Sequence, residues 1–210
     1  MPILTPTLSP PVVYVIDDDS SMRAALQDLL ASVGLKVCAF TSTREFLARP
    51  TDDAPGCLVL DVRMPDQSGM DFHRQMLALG IGLPVVFITG HGDIAMGVTA
   101  IKRGAIEFLT KPFRDQDLLD AIQQGLEQDR ARRAHAAASA QLQERWRSLN
   151  EGEREVVRRV VQGLLNKQVA AQLNLSEITV KVRRANAMRK LQVQSLAALV
   201  RITEKLERLA

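Results

Sequence analysis

The chain has 210 residues, enough for one or two domains of ordinary size. Hydrophobic residues make up 46% and charged residues 24%, a globular balance that excludes a disordered or fibrous chain. The formal net charge is only +3, but acids modestly outnumber bases from Val12 to Asp115, whereas bases outnumber acids about two to one from Leu149 to Ala210, which points to a polyanionic partner for the second half.

Met1 to Pro11 is proline-rich and lacks a basic stretch followed by an apolar core, so it reads as a flexible tail, residues 1–11, and not as a signal peptide. No apolar run approaches the roughly 18 residues of a membrane span, and a cytoplasmic protein without membrane contact is expected. Five short apolar runs follow: Val12 to Ile16, a weaker one at Lys36 to Phe40, Cys57 to Leu60, Val85 to Ile88 and Ile106 to Leu109. Cys38 and Cys57 fall inside these runs, with no CxxC pair and no histidine at ligand spacing, so buried thiols are expected and not a disulfide or zinc site. Helical stretches separate the runs at Ser21 to Val33, Met70 to Leu79 and Ile94 to Lys102, with Gly34 and Gly104 where helix C-caps belong. Five such βα units predict a parallel sheet covered on both faces.

From Asp115 onward the strand signal ends. Leu118, Leu119, Ile122 and Leu126 give one helical stripe, and no Pro or Gly interrupts Gln128 to Asn150, so a long helix is expected to run through a linker at 128–148. The last segment, 149–210, reads as all helix. Asn150 with Glu153 has the form of a capping box, Asn166 and Ser176 are candidate caps, and the final helix spans Ser195 to Leu209.

The strand ends carry the chemistry. Ligands of open parallel sheets bind beyond the carboxyl ends of the strands. There the first strand meets Asp17, Asp18 and Asp19, the third ends at Asp61, the fourth at Thr89, and the fifth leads to Lys111. A strand order of 2-1-3-4-5 brings them to one edge. Carboxylates so clustered call for a hard cation such as Mg2+, with Asp18 and Asp61 as direct ligands, Asp17 acting through water and the Arg63 backbone carbonyl adding an oxygen. Asp61 is then the phosphoryl acceptor, with Lys111 and the Thr89 hydroxyl holding phosphoryl oxygens. Asp19 reads as a charge at a helix N-terminus and His91 as a solvated loop residue.

The blocks Val15-Ile16-Asp17-Asp18-Asp19, Leu60-Asp61-Val62-Arg63-Met64-Pro65, Ile88-Thr89-Gly90-His91-Gly92-Asp93 and Lys111-Pro112-Phe113 resemble the signatures of receiver domains, the FixJ type in particular, over roughly Val12 to Glu127. The resemblance implies a flavodoxin-like receiver at 12–127, phosphorylated by a sensor histidine kinase. It also implies a cis peptide before Pro112, and a switch in which Thr89 moves and Phe108 rotates behind it. An activated homodimer through the 94–103, strand-five and 115–126 face is the expected consequence. One rival is open at this point. Asp17-Asp18-Asp19 also contains the Asp-x-Asp of haloacid-dehalogenase-like phosphohydrolases, where Asp17 would be the nucleophile and Asp19 the acid. That scheme expects a pair of carboxylates closing a late strand.

In the second half, Gly163-Leu164-Leu165-Asn166-Lys167-Gln168-Val169-Ala170, Leu173-Asn174-Leu175-Ser176, Thr179-Val180-Lys181-Val182 and Arg189-Lys190-Leu191 resemble the NarL/LuxR-type helix-turn-helix. The resemblance implies binding of double-stranded DNA and regulation of transcription. Lys181 and Val182 match base-facing positions, while Arg183, Arg184 and Lys190, with Lys167 and Thr179, are candidates for phosphate contact. Val169, Ala170, Leu173, Leu175, Val180 and Leu191 are the expected small core, which would turn Glu177, Lys181, Arg184 and Met188 outward. Arg183 stands where many relatives have histidine, and Ala185 where some carry a polar base-contacting residue. On the last helix, Leu196, Leu199, Val200 and Thr203 form a stripe suited to a twin subunit.

Overall fold

The structure, a computed structural model, describes residues 9–49, 51–91 and 94–207. Most of the expected tail, Gly92 and Asp93 of the fourth-strand block, and Arg208 and Leu209 at the expected end of the final helix lie outside the described residues. The chain divides into two compact units, the first ending at Arg133 and the second beginning at Ala134.

In the first unit, strands β1 (Val12–Ile16), β2 (Lys36–Phe40), β3 (Gly56–Asp61), β4 (Val85–Thr89) and β5 (Glu107–Thr110) form one sheet in the order β2-β1-β3-β4-β5. All four pairings are parallel. Alternate residues feed opposite faces. Tyr14, Ile16, Leu58, Leu60, Val85 and Phe87 pack with Phe46, Phe72 and Met76 on one side. Val13, Val15, Cys57, Val59, Val86 and Ile88 pack with Leu26, Leu30, Leu118, Ile122 and Leu126 on the other. The covering helices are α1 (Ser20–Ser32), α2 (Thr43–Ala48), α3 (Gly69–Ala78), α4 (Ile94–Lys102) and the start of α5 (Asp115–Arg147). Helix α2 was not anticipated, because six residues hold too little periodicity. Its signal is the Ser42 to Glu45 spacing, and the Ser42 hydroxyl does accept the Glu45 N–H at 3.3 Å. Gly34 and Gly104 have φ of 78° and 90°, the left-handed geometry that ends α1 and α4.

Helix α5 continues without a break to Arg147, so the residues expected in a linker at 128–148 are helical nearly throughout. Residues 128–133 nevertheless pack with the first unit. Asp129 is fully buried there, and one of its carboxylate oxygens accepts the Gly56 N–H at 2.9 Å.

The second unit contains α6 (Glu151–Val161), α7 (Asn166–Leu173), α8 (Glu177–Lys190) and α9 (Leu196–Glu207). Both halves of the Asn150–Glu153 capping box form, at 2.8 and 2.9 Å. Ser176 caps α8, accepting the Thr179 N–H at 3.1 Å. Asn166 is not the cap of α7. The helix begins one residue earlier than expected, with Leu165 at the cap and its N–H donated to the Gln168 side-chain oxygen. The expected core residues Val169, Ala170, Leu173, Leu175, Val180 and Leu191 all join the cluster around Val156, Val157, Val160 and Leu199. Of the α9 stripe expected to meet a twin subunit, Leu199 and Thr203 are buried within their own unit, whereas Val200 is half-buried and Leu196 stays exposed.

Candidate functional site

The carboxyl ends of β1, β3, β4 and β5 meet at one edge of the sheet. Asp17 follows β1, Asp61 closes β3, Thr89 closes β4 and Lys111 follows β5. The Lys111 ammonium donates to Asp17 Oδ2 at 2.7 Å and to Asp61 Oδ1 at 3.1 Å. Both carboxylates are nearly shielded from water, at 1% and 5% exposure, so two buried negative charges share one lysine. Burial pushes the Asp61 carboxyl above its ordinary pKa against the pull of Lys111. Burial tends to lower Lys111, but the hydrogen bond and charge of Asp17, with those of Asp61, raise it overall. The second Asp61 oxygen accepts the Arg63 N–H at 3.0 Å.

Thr89 is fully buried one register step beyond Ile88, the β4 partner of Asp61. Its hydroxyl oxygen accepts the His91 N–H at 3.3 Å, and its carbonyl accepts the Lys111 N–H at 2.7 Å. The Lys111–Pro112 peptide is cis. Asp18 is exposed and lines a cleft of about 300 Å³ with Thr41 to Thr43 and Met64 to Gln67. Asp19 caps α1, accepting the Ser21 N–H at 2.8 Å. Phe108 is half-buried and pairs with Phe87 at a ring separation of 6.3 Å.

Two glycines that the sequence reading passed over shape this edge. A Cβ on Gly69, the first residue of α3, would overlap the Asp61 carbonyl oxygen, so only glycine lets the chain return so close beneath Asp61. A Cβ on Gly97 would stand 3.3 Å from Phe108 Cδ1, so the absence of a side chain on α4 makes the seat for that ring.

In the second unit the exposed side of α8 differs from the expected one. Ile178, Lys181, Val182, Ala185 and Arg189 face water with Glu177. Met188 packs into the helical core and Arg184 is half-buried, donating to Asn166 Oδ1 at 3.3 Å. Arg183 lies along Gly152 of α6, where a Cβ would meet its guanidinium at 2.6 Å. Lys190, expected to touch DNA phosphate, is already engaged: it donates to Glu153 at 2.7 Å and to the Ser148 carbonyl at 3.1 Å. Glu153 is buried, and although burial raises its pKa, the hydrogen bond from Lys190 helps hold it low overall. Lys190 is thus an internal counter-ion, a role that spacing on a helix does not reveal. Lys167 is exposed on α7, and the Thr179 and Ser176 hydroxyls lie 2.8 Å apart at the start of α8.

Asp115 and Asp117 open α5 and do not close a strand, so they do not supply the pair of carboxylates that a haloacid-dehalogenase-like enzyme is expected to set there. Comparison with known proteins agrees. Residues 13–123 match the response regulator receiver domain, and residues 147–203 match the luxR family of bacterial regulatory proteins. Nodulation protein W of Bradyrhizobium diazoefficiens is 50% identical over 93% of this chain and 86% of its own length. Response regulator protein TodT of Pseudomonas putida is 48% identical over the same shares. The solved structure of response regulator StyR covers 94% of this chain and 100% of its own, at 48% identity and a TM-score of 0.86. On these grounds the chain belongs to the two-component response regulators, the branch in which a receiver domain is followed by a LuxR-type DNA-binding domain and the protein regulates transcription.

Proposed function

We propose that Asp61 accepts a phosphoryl group from the phosphohistidine of a sensor kinase and that this controls binding of the second unit to DNA. The observation that carries the reading is Lys111 held between two buried carboxylates, a charged pocket with a nucleophile already positioned. A carboxylate oxygen of Asp61 forms a P–O bond as the P–N bond breaks. The imidazole leaves with the bonding electron pair and takes up a proton. Lys111 then trades carboxylate for phosphoryl oxygens, and the Thr89 hydroxyl donates to another. This aspartyl transfer and its hydrolysis are the only chemistry proposed for the chain.

Among the described residues, no three His, Cys, Asp or Glu side chains are grouped to hold a metal. The donors at the strand ends are all hard oxygens, however, and two carboxylates share a single lysine, which suits an ion that keeps several waters. Asp18, Asp61 and the Arg63 carbonyl would hold Mg2+, with Asp17 through water. When bound, it supplies charge neutralisation for the incoming phosphoryl group.

The proposed switch couples Thr89 to Phe108, drawing the ring off its seat at Gly97 as the hydroxyl moves. The face it biases includes Ile94, Val98 and Ile101, which lie on one side of α4 and are all exposed, Ile94 at 88%. That apolar row suits a second copy of the chain, so phosphorylation is proposed to favour a homodimer able to span two half-sites on DNA. No helix of the described residues is long and apolar enough to cross a membrane, and a cytoplasmic location fits a DNA-binding regulator. Reduction of the acyl phosphate with borohydride, followed by peptide mass spectrometry, tests the reading. The modified residue is expected at position 61, and modification at position 17 would restore the phosphohydrolase alternative.

A further inference from the structure

A cleft in the second unit serves neither the phosphorylation site nor the basic side of α8. It opens between the end of α5, the helix α6 and the end of α9, all within that unit, and measures about 600 Å³. Trp146, Val161 and Leu206 give it apolar walls, and each of the three is half-buried. Arg147 and Arg158 line the same cleft with one carboxylate, Glu207, and all three are exposed.

The core of the unit does not require this opening. Val156, Val157, Val160 and Leu199 are closed off from water, at 1% exposure or less. Such interiors hold few voids larger than a water molecule. A cleft within the roughly 300–1,000 Å³ of small-molecule sites, walled by apolar side chains and carrying a few charged groups, has instead the form of a ligand pocket.

Charge decides the kind of ligand. Arg158 is paired with Glu151 at 3.1 Å and with Glu155 at 2.7 Å, in bridges open to water, where they are weak and exchange readily. Arg147 makes no ion pair among the described residues. Its guanidinium is a fork of donors without an acceptor, next to the indole of Trp146, and such a fork matches a carboxylate. Two guanidinium groups against the single carboxylate of Glu207 leave the lining positive.

The geometry points to a binding site for a small amphipathic carboxylate, its apolar body against Trp146, Val161 and Leu206 and its anionic end on Arg147. The site gives the DNA-binding unit a chemical input of its own. It depends neither on Asp61 nor on contact with DNA, so its failure would leave the proposed function untouched.

Trp146 is the single tryptophan of the chain, so its emission reports the cleft directly. The test titrates the full chain with octanoate, 1-octanol and octylamine, which share one apolar body and differ in charge. Octanoate should change Trp146 emission saturably, with a dissociation constant in the millimolar range that its few atoms allow. Octanol should bind about tenfold more weakly, for want of the charge-assisted bonds, and octylamine more weakly still. Octanoate at ten times its dissociation constant should raise the Trp146 thermal transition by about 5 °C and leave that of Tyr14, in the first unit, in place. Arg147→Ala should reduce octanoate to the affinity of octanol. Its side chain is exposed and bonded to no carboxylate, and circular dichroism checks that the variant folds. No saturable change at any octanoate concentration below its micelle threshold overturns the inference. So does octanol or octylamine binding as tightly as octanoate, or an Arg147→Ala chain that keeps the preference for the anion.

Discussion

Replacing Asp129 by alanine should cost the first unit about 3 kcal/mol. The residue lies beyond the last apolar turn of the receiver, yet its side chain is fully buried. One oxygen accepts the Gly56 N–H at 2.9 Å and Arg133 Nε at 2.8 Å. The other accepts Arg132 Nε at 2.9 Å and Nη2 at 2.5 Å. Arg133 reaches on to Asp53 at 2.9 Å. The carboxylate therefore pins α5 to the start of β3, next to the place where Gly125 allows Cys57 to approach within 2.6 Å of a Cβ position. Truncation to alanine strands the Gly56 N–H, which costs roughly 1–3 kcal/mol. It also removes the buried partner of two arginines, but these can still find water, so the total, the stranded N–H included, falls at the low end of about 3–5 kcal/mol for a broken buried pair. For a unit of this size, 3 kcal/mol corresponds to a fall in Tm of about 10 °C. Asp129→Asn keeps an acceptor for Gly56 and should lose about half as much. The chain carries one tyrosine, Tyr14, in the first unit and one tryptophan, Trp146, in the second, so near-ultraviolet signals of each report the units separately. A Tyr14 transition that moves by less than about 2 °C in Asp129→Ala would refute the accounting.

Other consequences can be checked alongside it. Gly69→Ala forces a Cβ into the Asp61 carbonyl, so the first unit should lose about 1–3 kcal/mol in urea unfolding and be labelled more slowly by acetyl phosphate. Lys190→Ala leaves Glu153 charged and buried, which should destabilise the second unit by about 2 kcal/mol, whereas affinity of the folded protein for DNA should change little. Lys181→Ala should do the reverse, weakening specific sites and sparing stability. For Asp61 the pKa is raised in the folded state, so its protonated form is the one that folding favours. Its stabilising contribution is present below the unfolded carboxyl pKa and is lost as pH rises through the folded value. Asp61→Asn should therefore be more stable than the parent at neutral pH, with the advantage shrinking as the pH falls through the carboxyl range. A constant difference across that range would count against the raised pKa.

Much of the fold was legible because period and punctuation agreed. Strands such as Val12–Ile16 are unbroken apolar runs, as strands buried on both faces must be, and Gly34 and Gly104 marked the helix ends. The edge cluster was legible because a parallel sheet places successive strand ends together, so Asp17, Asp61 and Lys111 could be brought to one edge before any distance was known; the bonds that Lys111 makes to both carboxylates were not. The sequence did not disclose contacts that depend on packing between distant segments. Asp129 meets Gly56 across 73 positions, and nothing in a charged helical stretch distinguishes the one buried carboxylate from its solvated neighbours. Lys190 looked like its basic neighbours on α8 for the same reason, since its partner Glu153 lies on another helix. The rotation of α8, which turned Ile178 outward and Met188 inward, was decided by how α6 and α7 pack against it.

In the proposed function a single carboxylate, Asp61, carries the signal. Incubating the parent chain and Asp61→Asn with radiolabelled acetyl phosphate and magnesium, then measuring both the label retained and the occupancy of a selected DNA site, addresses it directly. The parent should take up label and gain occupancy together, and the variant should do neither. Label and DNA response surviving in Asp61→Asn would contradict the assignment.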